Sequence, residues 1–144
     1  MELTREQAIE EHRKMWKWIS RQIMKDYKET HSIKKIIIYK KIYLENNFKN
    51  EYIVCDCFCC QYAKNKSILQ RCTSNCPLYW NDENTEKRCI KGYYGSLNKI
   101  FKNTTAYLVT VSSADEYIVC EEEAKRLSRM TYKIAMLEER KDNA

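Results

Sequence analysis

Apolar and polar positions over the first thirty residues alternate at the helical period. Ala8, Ile9, His12, Met15, Trp16, Ile19, Ile23 and Tyr27 recur at helical steps, while Glu10, Arg13, Lys14, Lys17, Arg21 and Lys25 fill the opposite side. Thr4-Arg5-Glu6-Gln7 has the form of a capping box, in which the threonine hydroxyl accepts from the backbone of Gln7 and the Gln7 side chain reaches back. The pattern therefore predicts an amphipathic helix running to about Lys28. His12 sits on its apolar stripe, which favours a packing role. Trp18 lies off the stripe, where an aromatic ring can anchor a partner.

The period pauses around Thr30 and Ser32. Ile33, Ile36, Ile37, Lys40, Tyr43 and Leu44 then allow a second helix ending near Asn46-Asn47, although the β-branched run Ile36 to Ile38 also suits a strand. Residues 49–91 have no sustained period. After Gly92 and Gly95, Ser96 can cap a short helix carrying Leu97, Ile100 and Phe101, and Ala106 to Val111 suits a strand or a helix. Ser113-Ala114-Asp115-Glu116 reads as a second capping box, and Glu121, Glu122 and Glu123 lie near a helix start, where the dipole favours negative charge. Tyr117, Cys120, Ala124, Leu127, Thr131 and Ile134 continue the stripe, which assigns Cys120 to the core. This predicts a closing helix to about Arg140, packed on the first.

Composition agrees with helices. Only 2 glycines and 1 proline occur in 144 residues, too few for the hairpins and bulges of an all-β fold. The longest aliphatic run is Ile36 to Ile38 and the mean hydropathy is −0.71, so no membrane span is expected. Met1-Glu2-Leu3-Thr4 lacks the basic and apolar regions of a secretory signal, and the protein is expected in the cytoplasm.

The net charge of +6 is uneven. Residues 1–50 hold 12 basic against 7 acidic side chains, residues 51–100 hold 7 against 5, and residues 101–144 hold 7 against 8. A basic amino-terminal half argues against an acidic mimic of DNA and permits, without demanding, contact with nucleic acid or with an acidic protein surface, since a charge run is usually a solvated helix face.

Residues 49–91 also hold seven of the eight cysteines, and in a reducing cytoplasm such clusters bind metal more often than they form disulfides. Cys57-Phe58-Cys59-Cys60 gives a C-x2-C pair, and Cys72-Thr73-Ser74-Asn75-Cys76 gives a C-x3-C pair. Four thiolates from two short turns make a closed tetrahedral site that suits a structural rather than a catalytic Zn²⁺. The spacing selects Cys57, Cys60, Cys72 and Cys76 as ligands, with Cys55, Cys59 and Cys89 as replacements. Lys64, Lys66 and Arg71 between the pairs would offset part of the thiolate charge. The expected fold is mainly α: a single domain over 1–144, with amino-terminal helices in 1–48, a loop-rich four-cysteine zinc knuckle in 49–91 and carboxy-terminal helices in 92–144.

No reaction is spelled out. The sequence has neither the H-E-x-x-H of a metalloprotease nor the His- or Cys-x-Glu ahead of a cysteine pair that a zinc deaminase needs, and Gly92 and Gly95 lack the lysine and following hydroxyl of a phosphate-binding loop. His31 has no acidic or nucleophilic neighbour that suggests a triad. The expectation is a protein that is not an enzyme.

The run Glu6-Gln7-Ala8-Ile9 through His12-Arg13-Lys14-Met15-Trp16-Lys17-Trp18-Ile19, with Cys57-Phe58-Cys59-Cys60-Gln61-Tyr62, Cys76-Pro77-Leu78-Tyr79-Trp80 and Ile134-Ala135-Met136-Leu137-Glu138-Glu139-Arg140, resembles a family of small four-cysteine zinc-binding proteins encoded by phages and prophages of low-GC Gram-positive bacteria. The resemblance implies zinc ligation by Cys57, Cys60, Cys72 and Cys76, and the C-x3-C spacing here departs from the family's shorter second pair. Such phage proteins are similar to metal-containing anti-CRISPR inhibitors. What this implies is an anti-defence protein of the infected host's cytoplasm that binds a host defence complex, a type II CRISPR effector nuclease, without catalysis. The alternative is a zinc-stabilised nucleic-acid-binding regulatory protein of the phage, using the basic amino-terminal half on phosphates. The segment between the cysteine pairs is too short for the hairpin and reading helix of a zinc finger, which counts against base-specific readout.

Overall fold

The structure is a computed structural model that describes residues 3–48, 58–59, 62, 77–78 and 116–140. These residues are mainly helical: α1 (Arg5–Thr30), β1 (Ser32–Lys34), α2 (Ile36–Asn47), β2 (Glu116–Ile118) and α3 (Glu121–Ala135). The expected helix over 97–101 and the segment 106–111 lie outside the described residues.

α1 begins as its sequence dictates. The Thr4 hydroxyl accepts from the Gln7 N–H at 3.1 Å, and the Gln7 side chain accepts from the Thr4 N–H at 2.9 Å, so two otherwise unpaired donors of the first turn are satisfied. The helix ends at His31, whose left-handed backbone (φ 59°) turns the chain back while its N–H bonds the Tyr27 carbonyl at 2.7 Å. The reversal feeds β1, which pairs antiparallel with β2 in the register Ser32 to Ile118, Ile33 to Tyr117 and Lys34 to Glu116. Ile33 therefore belongs to a strand, and the β-branched run that follows it is helical from Ile36.

α1 and α3 run antiparallel. Ser20 meets Ser128, His12 meets the carbonyl of Ile134, and Arg13 reaches the carbonyl of Leu137, so residue numbers rise on one helix as they fall on the other. Ala8, Met15, Trp16, Ile19 and Ile23 of α1 bury with Ala124, Leu127, Ile134 and Ala135 of α3. Small residues allow the close approach: the Ser20 hydroxyl donates to the Ser128 carbonyl at 2.8 Å, and the Ser128 hydroxyl donates to the Ser20 carbonyl at 3.1 Å.

α2 lies against the other flank of α1. Tyr39 donates to Asp26 at 2.8 Å and accepts from the Lys34 N–H at 3.1 Å, and the Lys34 ammonium stands 3.3 Å from the same carboxylate. One acidic side chain thus ties α1, β1 and α2. Trp18 is correspondingly half-buried, with ring centroids 6.4 Å from Tyr39 and 5.7 Å from Tyr43. Trp18 is thus packed on α2 and not a lone exposed ring, because α2 covers the side of α1 that a single-neighbour stripe leaves to solvent.

The carboxy-terminal expectations also need correction. Glu116 and Tyr117 lie in β2, not in a helix, and Cys120 is exposed at the N-cap of α3, not in the core. The three- and four-residue steps extend two positions upstream of the true helix start. That start is marked by Glu121, Glu122 and Glu123 as the first turn, with Glu123 accepting from the Cys120 N–H at 3.3 Å. α3 stops at Ala135, short of Arg140, because the following chain bridges Glu139 to Leu78 and the Arg140 N–H bonds the Pro77 carbonyl at 2.7 Å.

Burial, reinforced by the Asp26 carboxylate and opposed by the Lys34 N–H bond, pushes the Tyr39 phenol far above its ordinary value; burial and then Glu11 do the same for Tyr43. A raised folded value keeps the proton on the folded state while the unfolded phenol, near pH 10, loses it. The associated stability is complete below about pH 10 and declines as pH rises beyond it, by at most about 1.4 kcal/mol per unit for each phenol. Denaturant melts between about pH 9 and 11 are expected to show this decline, and Tyr39→Phe to flatten it. Loss of the cap in Thr4→Ala should cost about 1 kcal/mol in the same melts at neutral pH.

Candidate metal centre

The proposed ligands Cys57, Cys60, Cys72 and Cys76, and the alternatives Cys55 and Cys89, lie outside the described residues. Their sequence neighbours do not. Phe58 and Cys59, inside the first pair, are helical and buried at 1% and 0% exposure. The Phe58 ring packs on Phe48 at 5.4 Å and meets Tyr43 edge-on at 6.4 Å. The Cys59 sulfur lies 4.0 Å from the Ala8 carbonyl. Pro77 and Leu78, directly after Cys76, are buried as well, and Leu78 bridges Glu139.

These two anchor points meet the same end of α1. Arg5 forms an ion pair with Glu139 through one guanidinium nitrogen and donates to the Arg140 carbonyl through the other. Arg140 in turn holds Pro77. Arg5 and Ala8 are three residues apart on one helix, a rise of about 4.5 Å. The chain on either side of residues 60–76 is therefore tied to adjoining turns of a rigid element.

Both histidines have structural settings. His12 is fully buried, with Nε2 2.8 Å from the Ile134 carbonyl and its ring 6.4 Å from Trp16, as its place on the stripe implies. His31 caps α1 and stands edge-on to Tyr27 at 5.1 Å. Among the described residues, no group of three His, Cys, Asp or Glu side chains is arranged to hold a metal ion.

Two features were not legible beforehand. Lys40 is buried at 2% exposure with its ammonium 5.2 Å from the Trp16 ring centroid, a cation–π contact at a position where the sequence shows only a polar residue on an apolar stripe. Lys40 falling four residues after Ile36 and three before Tyr43 was the available signal. The second is an open groove of about 430 Å³ along the first turns of α1, lined by Glu6 and Glu10 and then by Arg13, Lys14 and Lys17, with Glu139 contributed from beyond α3. Its mixed charge favours a polar contact surface over an enclosed small-molecule site. Among the described residues, no helix is long and apolar enough to cross a membrane.

No family model, curated protein or solved structure matches the chain.

Proposed function

We propose that the protein is a non-enzymatic binding protein braced by one structural zinc ion, held by Cys57, Cys60, Cys72 and Cys76. The observation that carries this reading is the pair of buried anchors, Phe58–Cys59 and Pro77–Leu78, tied to adjoining turns of α1. Cys60 follows the first anchor and Cys76 precedes the second. Two thiolate pairs entering from fixed points lose less chain entropy on closing around a cation than pairs on a free segment. Bound zinc would supply about 10–16 kcal/mol toward ordering this part of the chain. Cys59 is better assigned to the core than to the metal, since its sulfur faces the Ala8 carbonyl at full burial.

The action follows from the same construction. A helix pair with a metal-braced centre presents a rigid surface, and rigidity reduces the ordering cost of association. His12 bonds the Ile134 carbonyl in the core and His31 caps α1, structural settings that are compatible with a binding protein. With the resemblance to phage anti-defence proteins, the reading becomes inhibition of a host defence complex by direct binding, with a type II CRISPR effector nuclease as the intended target, in the cytoplasm of the infected bacterium.

Elemental analysis of reduced protein should find one zinc per chain. Serine at Cys57, Cys60, Cys72 or Cys76 should abolish its retention, whereas Cys59→Ala should keep it at a small cost in stability. Zinc-free native protein, or a melting curve indifferent to a chelator, refutes the brace. Affinity capture of the tagged, zinc-loaded protein with a purified type II effector nuclease, followed by a cleavage assay, tests the inhibition: lost cleavage with co-purification supports it, and undiminished cleavage at saturating protein refutes it.

A further inference from the structure

The acid–base count of residues 101–144 conceals a feature that only the fold assembles. Ser20 and Ser128 form the floor of the seam between α1 and α3, and helical spacing defines what stands beside them. On α1, Arg13, Lys17, Met24 and Lys28 lie seven and three residues before and four and eight after Ser20; on α3 and its C-cap, Glu121, Lys125, Tyr132 and Met136 hold the same offsets from Ser128. Arg21 and Arg129, each one step further, stand beside them.

The antiparallel seam therefore carries Arg13, Lys17, Arg21 and Lys28 on one wall and Lys125 and Arg129 on the other. Among the described residues, Lys17, Arg21, Lys28 and Arg129 have no ion-pair partner, while Lys125 stands 3.4 Å from Glu121. Acidic groups bound the face at its ends, Glu6 and Glu10 at one and Glu121 at the other. Tyr132 and Met136 are about half exposed, at 50% and 48%, within this field.

We infer that this two-helix face binds single-stranded nucleic acid, with the cations on the phosphate backbone and Tyr132 stacked on a base. Unpaired cations facing water gain most from a ligand of regularly spaced negative charge, and an exposed phenol ring among them supplies the sequence-tolerant stacking that single strands offer and duplexes withhold. The row from Arg13 to Lys28 spans about 22 Å at the helical rise, the reach of about six nucleotide steps at their duplex spacing. The inference uses only α1 and α3 and stands apart from the zinc reading. A metal-free preparation that keeps its helix content still tests it.

The test is titration of labelled single-stranded DNA, single-stranded RNA and duplex DNA against the full chain over a range of salt, with poly-glutamate as the competitor. Engagement of about four phosphates predicts that log K falls by about 3 per tenfold rise in salt for single strands. Arg21→Gln with Arg129→Gln should reduce that slope by about 1.4, at about 0.7 per lost contact, and Tyr132→Ala should weaken single-strand binding about tenfold without altering the slope. The matched pair Lys35→Gln with Lys41→Gln, off this face on α2 and its N-cap, should leave the slope unchanged; circular dichroism confirms that all variants fold. A preference between the DNA and RNA single strands identifies the natural ligand within the inference. Equal or tighter duplex binding, equal losses in the two double variants, displacement by poly-glutamate as readily as by nucleic acid, or no salt-sensitive binding overturns it.

Discussion

The structure depends on the contact between α1 and α3, which holds together two segments separated by the whole of residues 31–120. Its chemistry is a mixture of burial and small polar side chains. Trp16, Ile19 and Ile23 supply the apolar area, while the reciprocal Ser20 and Ser128 bonds let the backbones approach without leaving a buried hydroxyl unsatisfied. His12 extends the same logic, presenting a buried polar ring to the Ile134 carbonyl. Every other described element is fastened to this pair: α2 through Tyr39 and Asp26, β1 and β2 through the turn at His31, and the cysteine-flanking residues through Ala8, Arg5 and Arg140.

Closing so long an intervening segment costs entropy only logarithmically in its length, so once the helix pair has formed, the further cost lies in ordering what hangs between its ends. The anchors at Phe58–Cys59 and Pro77–Leu78 divide that segment. They leave the seventeen residues 60–76, which include three of the four proposed ligands, as a short span with both ends tied to the core. A cation binding four thiolates there does not have to gather them from a chain of random-coil dimensions. The proposed brace would thus complement the helix pair, which sets the span that the metal would fill.

The sequence was most legible where one neighbour explains the pattern. α1 shows a capping box, a stripe and a polar back, and each corresponds to an observed bond or burial. It misled where two neighbours share a helix: Trp18 falls outside a stripe drawn for α3 yet inside the flank that α2 covers. At Cys120 the error came from trusting periodicity over the chemistry of helix starts, although three consecutive glutamates mark a first turn more firmly than two extra apolar steps mark a longer helix. At Leu137 to Arg140, local helix preference yields to a tertiary pairing with Pro77 and Leu78, which no local pattern encodes. The proposed metal ligands rest on spacing alone, since Cys57, Cys60, Cys72 and Cys76 lie outside the described residues.

The same comparison explains why charge counted along the chain understates the electrostatics of the folded surface. The segment carrying α3 has one more acid than bases, yet its acids lie at or before the first turn of α3 and beyond Leu137, while Lys125 and Arg129 lie between them on one side of the helix. Antiparallel packing then sets those two against the middle of the α1 row, away from Glu6 and Glu10. Fields from charges within about 8–10 Å of one another add before salt screens them, so a surface assembled in this way is more positive than either helix alone. The two serines at the seam matter for the same reason: their reciprocal bonds keep the helices close, and with them the two modest rows of cations.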